Sequence, residues 1–97
     1  MLTYVFLYKF TDQGIKGIKN TPEDIKKAIA AWEEMGGKLL GLYCVQGEYD
    51  FVSIGEAPSE EVAVSFSLAL SAKGGVRITS MRAFTTEEIT EIINKLP

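Results

Sequence analysis

No histidine occurs in the 97 residues, so the chain lacks the base of the usual serine and cysteine triads and the commonest transition-metal ligand. Cysteine is nearly absent as well. Cys44 stands alone, which excludes an internal disulfide, leaves an intermolecular one open and fits a reducing compartment. With no histidine or basic pair beside it in an apolar strand, Cys44 reads as a buried structural thiol rather than a nucleophile. Long hydrophobic runs are missing too. The apolar start MLTYVFLYKF falls well short of the roughly 20 residues that cross a bilayer, and it lacks the basic opening and small-residue cleavage site of a secretion signal. No membrane contact and a cytoplasmic location are the resulting expectations.

Positive charge is scarce. Thirteen acidic against ten basic side chains give a formal charge of -3, with no basic arm, so nucleic acid is not the expected partner, although Lys16, Lys19, Lys26 and Lys27 could form a small patch. Phosphate-binding signatures are also missing: GIKGIK does not end in Lys followed by Ser or Thr, and AKGGV lacks the dinucleotide glycine spacing, so both read as turns. Isolated carboxylates make no oxygen cage, and neither a metal nor another cofactor is expected.

What is present suits one globular domain spanning residues 1–97. The apolar fraction is 46% and the charged fraction 24%, and three prolines and nine glycines are scattered rather than gathered into a linker. A chain of this length buries roughly 60 to 68% of its extended surface, enough for one modest core.

Residues 2–10 carry apolar groups on both parities, Leu2, Tyr4, Phe6, Tyr8 and Phe10 on one and Val5 and Leu7 on the other. That pattern belongs in the middle of a sheet covered on both faces. TDQGIKGIKN follows as a loop, and Thr21, Pro22 and Asp24 predict a helix starting near residue 22 with Thr21 as its cap. Ile25, Ala28, Ile29, Trp32 and Met35 form its apolar stripe, and Gly36–Gly37 ends it. KLLGLYCVQ and YDFVSIGEA read as an antiparallel hairpin joined around Gly47 and Glu48. A second helix opens at Ser59, with Val62, Phe66, Ala69 and Leu70 inward, and stops at KGG. VRITSMRAF is a last strand. Thr85 and Glu88 have capping-box spacing ahead of Ile89, Ile92, Ile93 and Leu96 on a short carboxy-terminal helix.

Strand, helix, strand, strand, helix, strand plus one helix is the α+β ferredoxin-like βαββαβ order, with both helices on one face of a four-stranded antiparallel sheet. The other face is left open, and since the strands show no clean polar parity, it would be a large apolar patch. A homodimer or larger homo-oligomer is therefore expected, with sheet faces packed together and Phe84 and the final helix contributing to the seam.

YVFLYKFTDQGIKGIK, GEYDFVSIGEAP and VRITSMRAFT, in that order and covering essentially the whole chain, resemble the GYD-domain family of small bacterial and archaeal proteins. The signature stands here as Gly47, Tyr49 and Asp50, with Glu48 inserted after the glycine. The resemblance implies the dimeric α/β-barrel branch of ferredoxin-like folds and no particular reaction. Wider relatives of that fold include small monooxygenases acting on aromatic or quinone-like molecules and ligand-sensing regulatory domains, an analogy of fold alone.

Asp50 has two readings: a carboxylate that fixes the hairpin, or a pocket acid near Tyr49, Tyr8 or Arg82. Glu48 and Glu56 read as solvent-edge acids. Asp50 and Glu56 lie roughly 20 Å apart along one strand, too far to act as a carboxylate pair. Tyr4, Tyr8, Tyr43, Tyr49, Phe10 and Phe51 either pack as core or line a flat aromatic cavity between sheet and helices. Lys16 and Lys19 could gather an anionic ligand at its mouth. The candidate ligand-binding set is thus Tyr8, Phe10, Tyr43, Arg82 and Lys16. The function expected is an oligomeric small-ligand binding or regulatory module, taking a small aromatic or anionic molecule. The alternative is a cofactor-independent oxygenase or isomerase of an aromatic substrate, with Asp50 accepting the proton and Tyr8 or Tyr49 positioning an oxygen.

Overall fold

A computed structural model describes residues 1–97. Strand β1 (Leu2–Phe10) leads into a short helix α1 (Asp12–Lys16), a single 3-10 turn (Ile18–Asn20) and helix α2 (Thr21–Glu34). Strands β2 (Lys38–Cys44) and β3 (Phe51–Ala57) follow, then helix α3 (Glu60–Ala72), strand β4 (Val76–Ala83) and helix α4 (Thr86–Asn94). The four strands form one antiparallel sheet in the order β2-β3-β1-β4. This is the ferredoxin-like arrangement, and the doubly apolar β1 lies inside the sheet between β3 and β4.

Parity divides the sheet. Tyr4, Phe6 and Tyr8 of β1 stand in register with Gly55, Ser53 and Phe51 of β3, and this side packs on α2 and α3. Tyr4, Phe6, Trp32, Ala57, Ala63 and Phe66 make the buried core. Its centre is aromatic: the Trp32 and Phe66 rings lie 4.9 Å apart, and Phe6 meets both edge-on at 5.7 and 5.8 Å. The opposite side carries Val5, Leu7, Ile54 and Met81, and no helix of the chain covers it; Ile54 and Met81 are exposed.

Several local expectations change. Thr21 is inside α2 rather than capping it, because the preceding 3-10 turn already brings the chain into helical backbone; Asn20 takes the cap position and its amide donates to Asp24 Oδ1 at 3.0 Å. Residues 12–16, expected as loop, form α1, started by Thr11, whose hydroxyl accepts from the Gly14 N–H. In α3 Ala63 is buried and Ala69 exposed, since the inward stripe centred on Phe66 turns toward Ala63 and Leu70. Cys44 is exposed, not buried: it is the last residue of β2, an edge strand with no neighbour on one side. The register of β2 against β3 also slips between Leu39 and Gly41, a bulge that the sequence did not announce.

The loop after β1 docks tightly on the α3–β4 turn. Thr11 donates from its backbone N–H to the Gly75 carbonyl at 3.1 Å and from its hydroxyl to the Gly74 carbonyl at 2.5 Å. A Cβ at Gly14 would lie 1.9 Å from the Gly75 carbonyl oxygen, so only glycine permits this approach. The two glycine clusters, read separately as turns, are thus two halves of one contact.

At the far end of β4, Thr85 and Glu88 form the capping box, with the Thr85 N–H donating to Glu88 Oε1 at 2.8 Å and the Glu88 N–H to the Thr85 hydroxyl at 3.1 Å. Helix α4 buries none of its residues.

Candidate functional site

Beside the Trp32–Phe66 core, whose rings bound one end of the gap, the two layers separate. There Tyr8 stands opposite Phe51, the Phe10 and Phe51 rings meet edge-on at 5.7 Å, and a cavity of about 390 Å³ opens between sheet and helices. Phe10, Phe51, Leu39 and Leu42 form its sheet wall, and Ile25, Ala28, Ile29 and Trp32 its wall on α2. Gln13 and Gly14 of α1 and Lys73 and Gly75 of the α3–β4 turn close one side, so the glycine contact described above also shapes the site. Asp24, Lys27 and Lys73 add charge, and Gln13, Asn20 and Thr21 add polar groups, to a lining that is otherwise mainly apolar.

One polar pair lies on the sheet wall. The Tyr8 and Ser53 hydroxyls are 2.7 Å apart, and Ser53 is 4% exposed. Two hydroxyls bring two protons, and their mutual bond uses one. The other proton, with the remaining lone pairs, can meet a carbonyl, hydroxyl or carboxylate placed in the cavity. Burial pushes the Tyr8 phenol above its ordinary value, and the Ser53 bond opposes this more weakly, so at neutral pH the pair acts as neutral donor and acceptor.

Of the residues proposed from sequence, Tyr8 and Phe10 reach this wall. Tyr43 pairs with Val52 on the open side of the sheet and is 63% exposed, because the β2 bulge sets its parity. Lys16 ends α1 on the exposed surface, outside the lining. Arg82 lies at the other end of the sheet, opposite Tyr4. Its guanidinium donates to the carbonyls of Thr3 (3.2 Å) and Ala83, stacks 4.5 Å from the Phe84 ring and reaches Glu88 Oε2 at 3.8 Å. It thus holds the start of α4.

Asp50 does not line the cavity either. Its Oδ2 accepts from the Phe10 N–H at 2.8 Å, its own N–H donates to the Tyr8 carbonyl at 2.8 Å, and its carbonyl accepts from the Val45 N–H at 2.9 Å. These bonds extend the ladder one residue before the start of β3 and tie the hairpin connection to β1, which holds Tyr8 and Phe10 in place. Gly47 has φ +118°, a turn conformation that side chains disfavour, and Tyr49 follows in the same connection without reaching the wall. The glycine and aspartate of the signature therefore shape the strand end behind the cavity. No three Cys, Asp or Glu side chains converge as a metal-holding cluster.

Sequence reasoning missed Ser53, although the signal was there: among the inward residues Phe51, Ser53, Gly55 and Ala57 it is the one polar side chain. It also missed Leu39, Leu42 and Lys73, whose places depend on the bulge and on the docking of α1.

Fold and cavity together define a ferredoxin-like α+β domain with a cleft between its sheet and its helices. The chain belongs to the GYD domain family, whose profile matches residues 4–93. A curated relative from Thermus thermophilus, named glutamine synthetase and cystathionine beta-lyase binding protein, is 29% identical over 90 residues, covering 92% of this chain and 95% of the relative. Among solved structures, TTHA0845, also from Thermus thermophilus, matches with a TM-score of 0.57 at 19% identity, over 89% of this chain and 96% of that one. The leucine response regulatory protein LrpA of Mycobacterium tuberculosis matches with the same TM-score and identity, over 88% of this chain. This chain spans about half of LrpA, 51%, so the likeness is to one part of that regulator and concerns the fold. No helix is long and apolar enough to cross a membrane.

Proposed function

We propose that this protein is a homo-oligomeric regulatory module that binds a small, mainly apolar molecule carrying an oxygen group in the cleft between its sheet and helices. The observation that carries this is the Tyr8–Ser53 hydroxyl pair on the wall of an otherwise largely apolar cavity of about 390 Å³. Such cavities take a ring or branched chain by apolar contact and orient it through few polar groups. Association through the open sheet face, as in a dimeric α/β barrel, is supported by the uncovered Ile54 and Met81 there. A regulatory role is supported by the Lrp-like fold and by the relative named for binding two metabolic enzymes.

The test is native mass spectrometry of gently purified protein, followed by calorimetry with the molecule found. Tyr8→Phe should bind that molecule about 10-fold more weakly, the equivalent of one hydrogen bond. If no adduct is found and a panel of small phenols, ketones and carboxylates leaves the melting temperature unchanged, the ligand-binding role is lost.

Association with a metabolic enzyme is a second possibility, favoured by the near full-length similarity to the Thermus relative. Co-sedimentation with glutamine synthetase and cystathionine beta-lyase from the same cell would test it, and failure with both would remove it. Catalysis as a cofactor-independent oxygenase or isomerase has less support: Asp50, its proton acceptor, lies off the cavity wall with Oδ2 already bonded to the Phe10 N–H.

A further inference from the structure

Positive charge gathers around the cavity of a chain that is otherwise acidic. The formal charge of the whole protein is -3, yet Lys27 and Lys73 line the cavity against a single carboxylate, that of Asp24. Asp24 is engaged, its Oδ1 accepting from the Asn20 amide at 3.0 Å. The two lysines are not. The side-chain ion pairs of the chain are Lys26–Glu23 and Arg82–Glu88, so no carboxylate of its own neutralises Lys27 or Lys73. They also reach the lining from different elements, Lys27 from α2 and Lys73 from the residue that ends α3.

The polar groups stand at different depths. The cavity follows β1 from Phe6, against the Trp32–Phe66 core, past Tyr8 to Phe10. Tyr8 and Phe10 are two residues apart on the strand, about 7 Å. Val76 lies opposite Phe10 and Lys73 precedes it by three residues, so Lys73 belongs to the outer end while the Tyr8–Ser53 pair lies deeper. An occupant is therefore held by hydroxyls inside, by apolar walls along its middle and by positive side chains further out. A neutral molecule leaves those lysines without a countercharge, and a cation is repelled by them. A single carboxylate matches the one positive charge by which the lysines exceed Asp24.

We infer that the ligand is an amphipathic organic monoanion: its carboxylate meets Lys27 and Lys73, its ring or branched body lies against Phe10, Phe51, Ile25 and Ile29, and a second oxygen reaches the Tyr8–Ser53 pair. This rests on the ligand-binding role proposed above and adds to it the charge of the ligand and the residues that read that charge.

Calorimetry of the full-length protein with three probes tests this: 4-hydroxyphenylacetate, its neutral amide 4-hydroxyphenylacetamide, and phenylacetate, which lacks the far oxygen. Both lysines are exposed, so each contributes modestly, and together they should make the hydroxy acid bind about 10-fold more tightly than its amide. High salt should close that gap. Lys27→Gln/Lys73→Gln should bring the acid down to the level of the amide and leave the amide unchanged, which also shows that the variant keeps its fold. Tyr8→Phe should weaken the hydroxy acid about 10-fold and spare phenylacetate. A hydroxy acid that binds no better than its amide, or whose advantage survives in the double lysine variant, would overturn the inference while leaving the ligand-binding role in place. Binding by none of the three would also overturn it, and the ligand-binding role would fall with it only if the native adduct and the wider panel failed as well.

Discussion

Gly14→Ala puts the contact between the two glycine clusters to a quantitative test. The new methyl carbon would lie 1.9 Å from the Gly75 carbonyl oxygen, far inside contact distance, so one backbone segment must retreat by about 1 to 2 Å. Such a shift breaks the bonds from the Thr11 N–H to the Gly75 carbonyl and from the Thr11 hydroxyl to the Gly74 carbonyl. At about 0.5 to 1.5 kcal/mol each, their loss costs about 1 to 3 kcal/mol. The third bond, from Gln13 Nε2 to the Lys73 carbonyl, is solvent-exposed and adds little. Alanine gains at most about 1 kcal/mol as a helix former, and less in a helix as short as α1. The balance is a net loss of about 1 to 2 kcal/mol, which for a domain of this size lowers Tm by roughly 5 to 15 °C. Differential scanning calorimetry reads the stability. Ligand affinity should fall with it, because Gln13, Gly14, Lys73 and Gly75 all line the cavity. An unchanged or raised Tm would refute the reasoning and mean that helix propensity outweighs the docking.

Asp50→Ala leaves the Phe10 N–H without its carboxylate and should lower urea stability by about 1 to 3 kcal/mol, while Asp50→Asn, which keeps an acceptor, loses less; equal midpoints for both would deny the tie between hairpin and β1. Because burial raises the folded-state pKa of Tyr8, its contribution to stability is intact below its unfolded value near pH ~10 and is lost as pH rises through the folded-state value. An ultraviolet titration should contain a late-ionising tyrosine phase, and Tyr8→Phe should remove it. Bonding to the Thr85 N–H holds Glu88 below the usual carboxylate range, so its cap is present above the unfolded value and is lost as pH falls through the folded one. Protection of the amides at residues 86–94, with exchange rates corrected for their intrinsic slowing in acid, should therefore fall as pH drops below the ordinary carboxylate value, and Glu88→Gln should flatten that dependence.

Local chemistry written into the chain determined much of this protein. Alternation in β1, the Ser59 and Thr85 caps, the glycines after α2 and α3 and the stripe around Trp32 and Phe66 each act through neighbours a few residues away, so their consequences could be read without knowing the fold. The element order then admitted the ferredoxin-like arrangement. Contacts between distant segments were another matter. Whether Tyr8 meets Ser53, 45 positions later, depends on the pairing of β1 with β3, and the placement of Tyr43 on the far side of the sheet depends on a one-residue bulge in β2. Asp50 was readable as either a hairpin tie or a pocket acid because both roles need the same residue. Only the tertiary structure aimed its carboxylate at the Phe10 N–H, since a hydrogen bond is decided by ångströms and angles that residue order does not encode. The same holds for the cavity, a space left where sheet and helices diverge: it is a property of how the layers pack, and no single stretch of sequence carries it.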